Sequence, residues 1–244
     1  MINTLDEKKI LLNSAKVDHL VILPFNHDIS QLSACQFTEQ ILVNQMKITH
    51  LLIGYDHHFG RERKGGYEDL KACSHSYGFS LKRIDAEIVN GVKISSTKIR
   101  SMLLDGEIHI ANNYLGYSFF VTGHVTGGHR IGKKIGFPTA NIEIQEPYKL
   151  VPRDGVYAVI ATVDGHQRKG MLNIGYRPTF DKYGFRKTIE VHLFDFEEDI
   201  YGKDVVIHFV KRIRPEKKFD GVDQLVQQLE KDKKTARLIL DSKF

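Results

Sequence analysis

Five glycines, Gly123, Gly127, Gly128, Gly132 and Gly136, punctuate the run GHVTGGHRIGKKIGFPTAN (123–141), with His129, Arg130, Lys133 and Lys134 set among them. Glycine leaves backbone N–H groups unshielded, so such a run can lie against phosphate oxygens, and the neighbouring cations favour an anion. It is not the GxxxxGK[ST] phosphate loop, and an ordinary hairpin uses the same residues. The run ends in Thr139 and Asn141, a hydroxyl and a carboxamide two residues apart and so on one side of an extended segment. Hard oxygen donors of this kind suit Mg²⁺, which keeps few protein ligands and takes the rest from nucleotide phosphates. The same two residues equally cap a turn after Pro138. Further on, TIEVHLFDF (188–196) alternates, with Ile189 and Val191 on one face and Glu190 and His192 on the other. A carboxylate on such a strand can take the hydroxyl proton of an alcohol during phosphoryl transfer, or simply face water. YGK (201–203) and IRPEKKFD (213–220) add a basic loop bearing one aromatic, Phe219.

These residues need elements to hold them, and the texture of the chain changes near residue 117. Before it, the apolar runs HLVILPF (19–25) and HLLIGYD (50–56) read as strands. They alternate with the helical patterns FTEQILVNQM (37–46) and YEDLKACSHSYG (67–78). Strands separated by helices imply βα units on a parallel sheet. STKIRSMLLDG (96–106) and HIANNYLG (109–116) are two further helices that stop at glycine. After residue 117, FFVTGHV, GVYAVIATVDG, RKGMLNIG, TIEVHLFDF and DVVIHFVKRIR read as short β runs between turns, with VDGHQRKG as a hairpin connection. Six or so strands at this spacing predict a small closed antiparallel barrel. One amphipathic helix, VDQLVQQLEKDKKTARLIL (222–240), follows. The expected domains are therefore 1–116, α/β, and 117–244, a β-barrel with a C-terminal helix.

The 244 residues are 41% apolar and 27% charged, the composition of a globular protein with a real core. No run reaches the ~18 consecutive apolar residues of a membrane span, and the N-terminal residues lack the apolar stretch of a secretory signal. Two cysteines, Cys35 and Cys73, without CxxC spacing imply neither a disulfide framework nor a zinc site, so a reducing cytoplasm is expected. The net charge of +5 lies wholly in residues 121–244, since residues 1–120 balance to zero. That placement fits a solvated face, an anionic small ligand or nucleic acid. The acidic run DFEEDIYGKD (195–204) interrupts the basic segments, which argues against nucleic acid as a partner.

The ordered set GxVxxG…GFPTAN, GVYAV, NIGxRPTF, IEVHLFDF, YG and RPEKxFD strongly resembles riboflavin kinase over residues ~117–240. The resemblance implies transfer of the ATP γ-phosphate to the riboflavin 5′-hydroxyl, giving FMN. It implies Thr139 and Asn141 as contacts to Mg²⁺–ATP, and Gly127 or Gly128, Lys133 and Tyr201 along the nucleotide. Glu190 stands at the family's catalytic base. Arg214, Lys217 and Phe219 match the loop that closes over the flavin.

Residues 1–116 resemble the FMN adenylyltransferase domain of bifunctional bacterial riboflavin kinase/FAD synthetases, through VDHLVILPF, IGYDHHFG (53–60) and ISSTKIR (94–100). The resemblance implies a Rossmann-like nucleotidyltransferase sheet, incomplete here, with Ser95, Ser96, Thr97 and Arg100 near the ATP phosphates. A capped helix start followed by Arg is a sensible anion site. The family's first strand and its HxGH loop have no counterpart in these 244 residues, and residues 1–16 resemble an interior helix. The expectation is a chain that phosphorylates riboflavin and does not adenylylate FMN. The alternatives are FAD synthesis as the principal activity of a longer protein, a non-catalytic flavin- or nucleotide-binding barrel, and an RNA-binding barrel.

Overall fold

The computed structural model describes residues 1–61, 65–127, 132, 135–178 and 185–242. Two compact units divide the chain: Met1–Asp18 together with Ser95–Phe244, and His19–Ile94.

The first unit is organised by six strands: β5 (Phe120–Thr126), β6 (Ala140–Glu143), β7 (Gly155–Val163), β8 (His166–Pro178), β9 (Phe185–Leu193) and β10 (Asp204–Arg214). They form a closed barrel in the order β10-β5-β6-β9-β8-β7. All their pairings are antiparallel. The β7–β8 connection is the hairpin expected from VDGHQRKG, and its turn has two residues: Asp164 and Gly165 both adopt positive φ (48° and 78°), which matches the strand twist. Tyr157, Leu172 and Val191 lie opposite one another across three strands and are almost wholly buried, with Ile174, Ile207 and Phe209, filling the interior. The alternate residues form a second core on the outer face. There Ala158, Met171, Phe194 and Val210 pack with Ala236 and Leu240 of helix α7 (Val222–Asp241) and with Phe137. A period of two thus serves two cores: one inside the barrel and one under the helix.

Besides α7, the described helices of this unit are α1 (Leu5–Ser14), α5 (Ser96–Asp105) and α6 (Ile108–Leu115). Asn112 on α6 donates to Phe209 O at 2.9 Å and accepts from Phe119 N at 2.7 Å, pinning the helix to the strands. Glu7 on α1 is fully buried and meets the Lys149 ammonium, while Lys149 also donates to Phe120 O and Ile2 O at 2.7 Å. Burial pushes the Lys149 ammonium below its ordinary pKa, with Glu7 opposing that shift.

The second unit contains α2 (His27–Gln31), α3 (Ala34–Phe37) running into a π-helical stretch (Thr38–Gln45), and α4 (Tyr67–Tyr77). Its strands β1 (His50–Gly54) and β2 (Ser80–Ile84) are parallel and joined through α4, as the βα reading expects; β3 (Ile88–Val89) and β4 (Val92–Lys93) form a short hairpin. HLVILPF is not a strand. Residues 19–26 have no regular structure, and Phe25 is 81% exposed; among the described residues β1 pairs with β2 alone. Apolar character alone does not make a strand where no neighbour accepts its backbone. The two thiols, 38 residues apart, meet at 3.1 Å between α3 and α4. Burial foremost, then Cys35, raises the Cys73 thiol to about 11.

Candidate active site

The outer face of the barrel carries a transverse row of side chains. Asn141 of β6 pairs with Glu190 of β9, Glu190 with Asn173 of β8, and Asn173 with Val156 of β7. Directly opposed residues of antiparallel strands point to the same face, with Cβ atoms roughly 4.5–5.5 Å apart. All four line a cavity of ≈ 340 Å³. That volume lies within the usual range for small-molecule sites, ~300–1,000 Å³. Phe137, Met171, Leu225 and Leu229 supply apolar wall, and Arg214, Glu216, Lys217 and Phe219 at and after the end of β10 form its rim.

Thr139 Oγ1 lies 3.5 Å from Glu190 Oε2. The β6–β9 ladder has two pairs and stops at Ala140, since Pro138 has no N–H to extend it. A side chain continues the attachment: His192 Nδ1 donates to Pro138 O at 2.7 Å. His192 is 6% exposed, with its ring against Phe137 and Phe194 at 5.3 and 5.7 Å. Burial lowers its pKa, which favours the uncharged ring, and its second nitrogen, Nε2, has no partner among the described residues. Thr139 is thereby held between the Asn141–Glu190 pair and the His192–Pro138 bond.

At the rim, Arg214 is committed to structure. Its Nε and Nη2 contact the buried Asp232 of α7 at 2.7–3.0 Å, and Nη1 donates to Pro215 O at 2.9 Å. Lys217 is exposed, 5.8 Å from the Phe219 ring centroid, as is the Arg214 guanidinium. Glu216 folds so closely over β8 that a Cβ on Gly175 would fall 1.9 Å from Glu216 Oε1. A side chain at 175 would displace the exposed Glu216 carboxylate from this position.

Thr139, Asn141, Glu190, Arg214, Lys217 and Phe219 are brought together around one cavity. Gly127 and the exposed Tyr201 are neighbours of each other, a Cβ on Gly127 falling 3.3 Å from the Tyr201 ring, and neither lines the cavity. Gly128 and Lys133 lie outside the described residues. Ser95 caps α5, its Oγ accepting from Lys98 N at 3.3 Å, with Ser96, Thr97 and Arg100 on the same helix; none of the four lines this cavity. Asn173, Glu216 and His192 line the cavity and are not among the residues that the sequence motifs single out for the site. Asn173 was within reach, since strand alternation sets it two residues from Met171 on the α7-facing side.

A riboflavin kinase family model matches residues 115–240, and a FAD synthetase family model matches residues 1–98. The bifunctional riboflavin kinase/FMN adenylyltransferase of Haemophilus influenzae is 38% identical over 239 residues, covering 98% of this chain and 76% of the relative. The chain belongs to the bifunctional riboflavin kinase/FMN adenylyltransferase family. The Bacillus subtilis member is 37% identical, with 97% of this chain and 74% of the relative covered. A solved Streptococcus pneumoniae structure, titled a macrolide-efflux protein, superposes with a TM-score of 0.87 at 34% identity, covering 97% of this chain and 75% of that one. Among the described residues of this chain no helix is long and apolar enough to cross a membrane. The riboflavin kinase/FMN adenylyltransferase family makes this chain a transferase with riboflavin and ATP as substrates. Its closed six-stranded barrel with a C-terminal helix is the riboflavin kinase fold.

Proposed function

We propose that the row Asn141–Glu190–Asn173 is the place where the γ-phosphate of ATP meets the riboflavin 5′-hydroxyl, with Glu190 as the base. One observation carries this reading. A half-buried carboxylate stands at the centre of the cavity wall with Thr139 Oγ1 3.5 Å away and a carboxamide paired across on either side. The 5′-oxygen forms a bond to the γ-phosphorus as the bond to the β–γ bridging oxygen breaks; ADP leaves, and the hydroxyl proton passes to Glu190.

The donors also fit Mg²⁺. Thr139 Oγ1, the Asn141 carboxamide oxygen and the Glu190 carboxylate are hard oxygens, too few to enclose an ion and suited to one that completes its shell with phosphate and water. Thr139 and Asn141 would hold it, and when bound it neutralises phosphate charge. Gly127 or Gly128, Lys133 and Tyr201 are assigned to the nucleotide. Phe219 and the stems of Lys217 and Arg214 are assigned to the flavin, for which an apolar wall with an aromatic face is suited. Because Arg214 is paired with Asp232, it serves the flavin by position more than by charge.

We assign residues 117–244 to the kinase domain and 1–116 to a partial adenylyltransferase domain. Ser95, Ser96, Thr97 and Arg100 are then the second nucleotide motif. No HxGH run occurs within the 244 residues, so this chain assayed by itself is expected to stop at FMN. Use of ATP and two free thiols support a cytoplasmic place, with small molecules and not nucleic acid as partners. Incubation of the 244-residue chain with riboflavin and Mg²⁺–ATP, followed by separation of flavins, tests both points. FMN without FAD is expected. Failure to form FMN would remove the kinase reading, and formation of FAD would remove the limit.

A further inference from the structure

The row across the barrel has a direction. Successive strands are about 4.8 Å apart. From Glu190, one step toward β6 reaches Asn141, with Thr139 beside it; one step toward β8 reaches Asn173, and a second reaches Val156. In an in-line transfer the accepting oxygen lies between the phosphorus it attacks and its own carbon chain. With the phosphate and its cation on the Thr139–Asn141 side, the chain of the accepting alcohol must leave on the opposite side. That path passes Asn173 before it reaches Val156, Leu225 and Phe219, all of which line the same cavity.

Asn173 suits a polar chain there. It is half-buried, lines the cavity, and its side chain makes no hydrogen bond among the described residues. Its neighbours in the row fix its direction, because a residue opposed to Glu190 shares Glu190's face. A carboxamide offers two donors and one acceptor, which matches a hydroxyl serving as both. The flanking side chains Val156 and Met171 offer no hydrogen bond, so a hydroxyl placed there without Asn173 would lose its water uncompensated.

We infer that Asn173 is a specificity-determining residue that reads a secondary hydroxyl of the ribityl chain, so that the kinase selects a polyol-bearing flavin and not merely an aromatic alcohol. The inference rests on Glu190 standing at the 5′-hydroxyl. It assigns Asn173 to the acceptor substrate alone, leaving ATP to the β6 side.

The test compares riboflavin with its 2′-, 3′- and 4′-deoxy analogues in the wild type and in Asn173→Ala, by steady-state kinetics at saturating Mg²⁺–ATP. Loss of one neutral hydrogen bond corresponds to about tenfold in kcat/KM. The wild type should lose about tenfold on one of the three analogues. Asn173→Ala should lose about tenfold on riboflavin, show no further loss on that analogue, and keep its KM for ATP. Asn173→Ser, which puts a hydroxyl donor and acceptor in place of the carboxamide, should recover some of the loss. Melting temperatures with and without Mg²⁺–ATP show whether the variants keep the fold and the nucleotide site. If neither variant changes kcat/KM for riboflavin, if all three analogues lose equally in wild type and variants, or if the KM for ATP rises instead, the inference is overturned. Full turnover in Glu190→Gln would remove the base while leaving the riboflavin dependence of Asn173→Ala to be read separately.

Discussion

The two compact units handle polar groups and edges in opposite ways. In the unit formed by Met1–Asp18 and Ser95–Phe244, the six barrel strands close into a ring, and two buried carboxylates have cationic partners: Glu7 with Lys149, and Asp232 with Arg214. In His19–Ile94 the main sheet has two strands, and Leu20, Val21, Ile22, Leu52, Ile84 and Ile88 are exposed. A closed barrel leaves no edge and can hold a carboxylate such as Glu190 at a fixed place between paired neighbours; a two-stranded sheet offers no comparable support. The chemistry assigned above follows that division.

The largest expected effect tests the chemical side of the contrast. Glu190→Gln keeps the size of the side chain and removes its basicity, so turnover to FMN should fall by roughly 10²–10⁴-fold, the usual contribution of a positioned base. ATP binding, measured by protection of the melting temperature with Mg²⁺–ATP, should change little. Unchanged kcat in that variant would take the base role from Glu190 and leave the row a binding surface only.

The same contrast explains what was legible in the sequence. In the barrel, each local signal agreed with its surroundings: DVVIHFVKRIR runs from Asp204 to Arg214 as a strand, and Gly106 and Gly116 stop their helices at positive φ. In His19–Ile94 the run HLVILPF had the composition of a strand and no partner to make it one. The meeting of Cys35 with Cys73 was invisible because it depends on α3 and α4 packing across 38 residues. Of the cavity lining, motifs singled out Thr139, Asn141 and Glu190, but the register that sets Asn173 beside Glu190 exists only once β8 and β9 are paired. The commitment of Arg214 to Asp232 likewise comes from α7, 18 residues further on.

A second prediction separates the stabilities of the units. Lys149→Met leaves the Glu7 carboxylate buried without its cation, which should cost the barrel unit about 3–5 kcal/mol. Denaturant unfolding followed by circular dichroism should show the barrel transition moving to lower denaturant. The transition of His19–Ile94 should stay in place, because neither residue of the pair belongs to that unit. The double variant Glu7→Leu/Lys149→Met should recover most of the loss, since a matched apolar pair needs no charge partner. Equal movement of both transitions in the single variant would show that the units unfold as one.

The smallest effect concerns pH, and again it falls on the barrel. His192 and His208 both lie there, and burial foremost lowers each from its ordinary value of 6.5. For His192 the Pro138 carbonyl favours the cation, as does Glu230, while Lys233 and Arg237 of α7 oppose it. Above pH ~6.5 these rings are neutral in both folded and unfolded chains, and their contribution to stability is fully present. As pH falls below that value the unfolded chain takes up protons that the folded barrel refuses, so stability is lost until the lowered folded pKa is reached. The barrel melting temperature should therefore decline from pH 7 toward pH 5, and the decline should be shallower in His192→Asn and in His208→Asn. In His192→Asn the new carboxamide can still donate to Pro138 O, so turnover at pH 7.5 should be largely kept. A slope unchanged in both variants would place the acid sensitivity outside these two buried rings.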